Sequence, residues 1–246
     1  MQAINLKTNH LTQPLGIDAG TLFLSWQCAE GVRQTAYEIE VTAGAETLWT
    51  SGKILSSMMH TETPAVPPKT QGRWCIRLWD ENDQPGAWST ASFETGLAQA
   101  DWQGVWVCPE TEESDIDCTD AINAFAKPNW EQKQAALEAS GKGTAQPYQP
   151  HRPASYLRKL FTAPAGESKR LYITAKGLYT AWLNGKRVGD MVLAPGSFTA
   201  DKHLGAQTYD VTALVREGEN ELLIALGDGW YRSTSGVDGD RDLFGK

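Results

Sequence analysis

Asp228 closes an apolar run in LGDGWY and lies between Gly227 and Gly229. Glycine on both sides lets the backbone turn sharply, which leaves two roles open for the carboxylate. It is either a hard oxygen donor for calcium facing a cleft, or a turn residue accepting neighbouring amides. Trp230 and Tyr231 follow directly, and an indole plane with an N–H handle is the usual surface on which a pyranose ring stacks. Strand alternation would send one of the two into the core. Asn184-Gly185 between apolar runs is a strong short hairpin signal, because both turn positions need positive φ. Asp190 and Asp210 read as turn residues, Asp210 preceding Val211-Thr212 as a cap would.

The other candidates carry less chemistry. Asp238, Asp240 and Asp242 alternate like the opening of a calcium loop, but the required glycine and distal glutamate are missing, so a solvated loop is expected. Glu110, Glu112, Glu113 and Asp115 form a like-charged run with no scaffold to separate their pKa values. His10, His60, His151 and His203 are scattered and no serine lies in a nucleophile elbow. The glycine-rich stretches follow strands without opening a helix, so a phosphate cradle is unsupported. No catalytic residue is assigned.

Strands must position these groups. The 246 residues suffice for two domains, and 41% hydrophobic with 21% charged residues is an ordinary globular composition. A net charge of -8 has the wrong sign for nucleic acid or anionic lipid. No basic leader with an apolar core opens the chain and no apolar run reaches the ~18 residues of a spanning helix, so a cytoplasmic location is expected. The cysteines Cys28, Cys75, Cys108 and Cys118 form no CxxC pairs, against zinc and against a disulfide scaffold. Leu24, Trp26 and Cys28 share a strand face, as do Tyr37, Ile39 and Val41, and Trp74, Ile76 and Leu78. On that parity Cys28 points inward and Cys75 outward, so no inter-sheet bridge forms, and residues 1–98 read as a β-sandwich like fibronectin type III. Residues 99–246 read as a second β-sandwich. An acidic, alanine-rich insertion at about 108–153 interrupts it, with one helix near 130–140 capped by Asn129. The ten tryptophans are expected mostly in the cores, Trp26, Trp74 and Trp182 among them.

The order of short motifs adds to this. PLGID (14–18), FLSW, QTAYEIEV, WTSGK, WCIRLWD, FETGL, LRKLF, LYITAKGLYTAWLNGKRVGD, LAPG, TYDVTALV, GEN and LGDGWY run through nearly the whole chain. Together they resemble the N-terminal region of bacterial α-L-rhamnosidases. The resemblance implies an all-β chain: a fibronectin-III-like module, then a jelly-roll-like sandwich, here incomplete, which in some relatives binds terminal rhamnose with calcium. It also gives Asn184 a second reading, an amide oxygen facing sugar or calcium. The implied sugar contacts are Asn184, Asp228, Trp230 and Tyr231, with Asn184 and Asp228 also facing Ca2+; no other cofactor is required. Relatives commonly carry aromatics where this chain has Ser197, Ala200 and Ala206, and Phe198 compensates only if the loop is shifted by one residue.

In that family hydrolysis takes place in a large α/α barrel further along the chain, with paired carboxylates. One helix of about eleven residues cannot supply such a barrel. The expectation is therefore a non-catalytic N-terminal region of a glycosidase, inactive alone. Its partners would be a downstream catalytic barrel and rhamnose-containing glycans. The alternative is a free-standing calcium-dependent carbohydrate-binding protein.

Overall fold

Period-two alternation over the first hundred residues produces strands β1 (Gln2–Thr8), β2 (Phe23–Ala29), β3 (Ala36–Ala43), β4 (Glu46–Thr50), β5 (Ile54–Leu55), β6 (His60–Glu62), β7 (Gln71–Trp79) and β8 (Ser89–Glu94). The computed structural model describes residues 1–108, 139, 154–163, 168–200 and 202–232. Two compact units divide the chain, Met1–Val105 and Trp106–Lys246. In the first, a sheet ordered β1-β2-β6 faces a sheet ordered β4-β3-β7-β8, with β5 also paired to β3. Every strand pair is antiparallel.

The faces follow the alternation. Leu24 and Trp26 from one sheet meet Tyr37, Ile39, Val41, Trp74, Ile76 and Leu78 from the other in a single core. Buried indole N–H groups need acceptors. Trp74 donates to the Thr8 hydroxyl at 3.0 Å, and Trp26 donates to Gln34 Oε1 at 2.9 Å. Gln34 is itself buried and its amide nitrogen donates to the carbonyls of Ser56 and Met58. Cys28 packs against this core while Cys75 lies on the outer face beside the Thr90 hydroxyl, and both are free thiols. The expected boundary at Ala98 is followed by a 3-10 turn, Gln99–Asp101, whose Asp101 carboxylate accepts from the Ala98 N–H and the Lys69 ammonium.

The second unit contains β9 (Ser155–Thr162), β10 (Arg170–Ile173), β11 (Leu178–Leu183), β12 (Lys186–Arg187), β13 (Gln207–Asp210) and β14 (Glu219–Gly227). They form a sheet ordered β12-β11-β14-β9 and a pair β10-β13, so the architecture is all-β with sandwich sheets in both units. Asn184 and Gly185 make the β11–β12 turn with φ of 51° and 80°, the conformation the dipeptide predicts. Tyr179, Ala181 and Leu183 of β11 enter a core with Ile173, Ala175, Val188, Ala194 and Val211. Asp210 Oδ1 accepts from the Thr212 N–H at 3.0 Å, holding the turn that follows β13. Of the expected helix near 130–140 only Ala139, which is helical, is among the described residues, and the aspartates at 238, 240 and 242 lie outside them. No helix among the described residues is long and apolar enough to cross a membrane.

The tryptophans depart from expectation. Trp26, Trp74 and Trp79 are buried, whereas Trp88, Trp102, Trp106 and Trp230 are exposed. Trp182 alternates with Ala181 and Leu183, so it sits on the sheet face opposite the core. Trp79 is covered by cations: Lys53 Nζ stands 4.7 Å from its ring centre, and the Arg77 guanidinium 4.9 Å from both Trp79 and Trp88. Glu38 anchors that guanidinium at 2.6 Å. These indoles serve cation stacking on a sheet surface, a use that alternation alone does not separate from core packing.

Candidate functional site

The ladder between β11 and β14 begins at Leu178 opposite Gly227 and ends at Leu183 opposite Leu222. At its first end the backbones approach very closely. A Cβ on Gly177 would lie 2.1 Å from the Gly227 carbonyl oxygen, and one on Gly229 (φ +54°) would lie 2.7 Å from Leu178 Cγ. Glycine is therefore required at both places, and the chain leaves β14 through Asp228 into a single helical turn, Gly229–Arg232.

That turn replaces the strand alternation expected for Trp230 and Tyr231. Neither ring enters the core: Trp230 is 41% exposed and Tyr231 is half-buried. Lys176, just before β11, brings its ammonium to 5.3 Å from the Tyr231 ring centre and 5.4 Å from that of Trp106. A cation attracted to two aromatic faces is held in place by their quadrupoles. The Lys176 ammonium and the Tyr231 and Trp106 rings thus form one cluster, and Asp228 and the exposed Trp230 precede Tyr231 in the chain. Aromatic faces and an ammonium are groups that can meet a polyol ring, which offers an apolar face and a rim of hydroxyls. Lys176 and Trp106 escaped the sequence reading, because their part depends on the approach of segments far apart in the chain.

Asn184 is at the other end of the same ladder, about 20 Å of strand from Asp228 at ~3.3 Å per residue. Its amide is fully engaged. Nδ2 donates to the Leu214 carbonyl (2.9 Å) and to Asn220 Oδ1 (2.8 Å), and Oδ1 accepts from the Glu221 N–H (3.0 Å). Asn220, fully buried, accepts from the Arg216 N–H and donates to the carbonyls of Arg216 and Gly218. Two asparagines thereby lock the β11–β12 hairpin to the turn entering β14. Asn184 and Asp228 do not converge into one donor set for a cation. Among the described residues no group of three or more His, Cys, Asp or Glu is placed to hold a metal.

Phe198, the residue that could replace the missing aromatics, is turned into its own loop. Its ring fills the space over Gly205 and Gly196 and meets His203 edge-on at 5.5 Å. Further inside, the Tyr179 hydroxyl donates to Gln207 Oε1 at 2.8 Å and lies 3.3 Å from the Tyr209 hydroxyl. Burial, reinforced by Tyr209, pushes the Tyr179 phenol well above its ordinary pKa, so it acts as a neutral structural donor.

Two family models match the chain: a Rha78A-like N-terminal immunoglobulin domain over residues 3–99, and an α-L-rhamnosidase N-terminal domain over residues 165–246. An α-L-rhamnosidase of Formosa agariphila is 30% identical over 252 residues, covering 94% of this chain and 24% of the relative. One from Alteromonas sp. is 29% identical over 234 residues, covering 89% and 22%. Among solved structures, the α-L-rhamnosidase from Dictyoglumus thermophilum superposes with a TM-score of 0.77 at 28% identity, over 94% of this chain and 25% of that one. The Aspergillus terreus enzyme gives 0.75 at 27% identity, over 99% and 26%. The chain spans about a quarter of the length of each of these four relatives.

Proposed function

Because the chain corresponds to the N-terminal region of the α-L-rhamnosidases, we propose that it is a non-catalytic, accessory part of an α-L-rhamnosidase-like glycoside hydrolase. Its two sandwiches brace a catalytic portion that removes terminal α-L-rhamnose from glycosides. The observation that carries this reading is the match of both units, in order, to a region that makes up 24% of a much longer α-L-rhamnosidase. A rigid all-β brace suits the role, since each sheet face is fixed by its own apolar core. The purified chain should release no nitrophenol from 4-nitrophenyl α-L-rhamnoside. Substituted for the matched quarter of the Formosa relative, it should support hydrolysis. Turnover by the isolated chain would sink the non-catalytic reading.

A second reading, binding of rhamnose-containing glycans, is supported by the exposed Trp230 indole, which follows Asp228 and Gly229 in the chain, and by the Lys176 ammonium over the neighbouring Tyr231 ring. In this reading the sugar face lies on Trp230 while Asp228 and Lys176 meet its hydroxyls, and Asn184 contributes by bracing the fold. Calorimetry with L-rhamnose, with and without Ca2+, tests it. No heat at millimolar sugar in either condition removes it, and heat only with Ca2+ favours the calcium-dependent form.

A further inference from the structure

One row of side chains on the outer face of the β4-β3-β7-β8 sheet keeps open groups after the fold has been satisfied. Glu38 of β3 stands opposite Arg77 of β7. The β7–β8 ladder ends with Ile76 opposite Ser89, so Trp88, one residue before β8, continues the row beside Arg77. Glu38 Oε2 accepts from Arg77 Nε at 2.8 Å and lies 2.6 Å from Nη2. The guanidinium so anchored stands 4.9 Å from the ring centres of both Trp79 and Trp88.

The two indoles differ in what remains open. Trp79, with Lys53 over it as well, is only 7% exposed. Trp88 shares the same guanidinium and is 42% exposed. A single exposed apolar residue needs no explanation, but this ring is held against an anchored cation and has hydrogen-bonding groups beside it. Arg77 turns Nε and Nη2 toward Glu38, and among the described residues neither Arg77 Nη1 nor Glu38 Oε1 has a hydrogen-bond partner. Both side chains are half-buried, so these atoms border solvent. The cations are neutralised in place, Arg77 by Glu38 and Lys53 by Asp83. Stability alone accounts for Trp79, whose ring is covered, but not for an open Trp88 ring beside an unused donor and an unused acceptor. A fixed apolar plane flanked by such a pair, with no surplus charge, fits a neutral sugar ring. The C–H face of the ring stacks while its hydroxyls both donate and accept.

We propose that Trp88, Arg77 and Glu38 form a binding site for chains of neutral pyranose sugars. The ring stacks on Trp88, Arg77 Nη1 donates to one hydroxyl and Glu38 Oε1 accepts from another. The site belongs to the first unit and depends neither on the Trp230 patch nor on the accessory role proposed above. An open sheet face covers one side of a ring only, so a single sugar binds weakly. A chain that repeats the ring is the better ligand, because a ring that leaves is replaced by its neighbour.

The test is affinity electrophoresis of the full 246-residue chain in native gels cast with galactomannan, xyloglucan or mixed-linkage β-glucan, all neutral pyranose polymers. At least one should retard the chain relative to a plain gel. In that gel Trp88→Leu, apolar but without a plane, should weaken binding about ten-fold, whereas Trp88→Tyr, which keeps a ring on Arg77, should stay within about three-fold of the unsubstituted chain. Trp230→Ala should leave the retardation unchanged. No retardation in any gel, or equal retardation of the Trp88→Leu and unsubstituted chains, would overturn the site. Retardation lost in Trp230→Ala and kept in Trp88→Leu would overturn it too, while leaving the Trp230 reading standing. Should Trp88→Leu disturb the thermal melt, Arg77→Lys takes its place, since it keeps a cation beside both rings and Glu38 but removes Nη1. Unchanged retardation of that variant would equally overturn the site.

Discussion

At the scale of single residues, Asn184 shows how one side chain can carry a strong motif signal and still have its work elsewhere. Asn-Gly announces the turn, and the amide then makes three hydrogen bonds that tie the turn to Asn220 and β14. Asn184→Gly keeps the permitted φ but leaves the Glu221 N–H without its acceptor and the Leu214 carbonyl without the Asn184 donor, while Asn220 Oδ1 keeps only the Arg216 N–H. It should cost about 1–3 kcal/mol in a denaturant melt, and an unchanged midpoint would show that the lock is dispensable. Trp230→Ala removes an exposed ring and should change stability by no more than about 0.5 kcal/mol. If the patch holds sugar, the same substitution should abolish the heat of rhamnose binding.

Between strands, the energetics reside in polar groups that alternation cannot reveal. Gln34 accepts from Trp26 and donates to two carbonyls, so it connects β2 to the segment between β5 and β6. Gln34→Leu would leave the indole N–H and the Ser56 and Met58 carbonyls without partners, at roughly 3 kcal/mol or more. Chemical denaturation of the variant reads this directly. At the end of β13, the Thr212 hydroxyl and N–H hold the Asp210 carboxyl below its usual range, with Arg170 adding to the effect. A depressed acid stabilises the folded state above the unfolded-state pKa of about 4, and that contribution is lost as pH falls through the lowered folded-state value. Asp210→Asn should therefore lower stability near neutral pH and flatten its decline below pH ~4; parallel pH profiles for the two proteins would rule the linkage out.

For the whole molecule, two cores in two compact units imply two separable stabilities. Trp74→Ala empties the centre of the first core and should cost about 3–5 kcal/mol there. In calorimetry it should shift one transition and leave the other in place, whereas a common shift of both would show a single cooperative unit. The same division explains why motif order was so informative. Both units were legible because each strand carries its own alternation and each turn its own glycine or asparagine, and those signals are local.

The chain alone therefore determined the all-β class, the inward parity of β2, β3 and β7, the Asn184-Gly185 turn and the likeness to the α-L-rhamnosidase N-terminal region. These depend on neighbours one to four residues apart. Alternation fixes which residues share a face, but it does not say which face will be covered, and Trp182 ended opposite the core. Nor does it measure distance along a ladder, and antiparallel pairing set Asn184 and Asp228 at opposite ends of β11–β14. Only the tertiary structure brought Lys176 and Trp106 to Tyr231 and set Trp88 against the Arg77 guanidinium. Both arrangements depend on which distant segments of backbone come to lie side by side, and that is settled by packing rather than by local sequence.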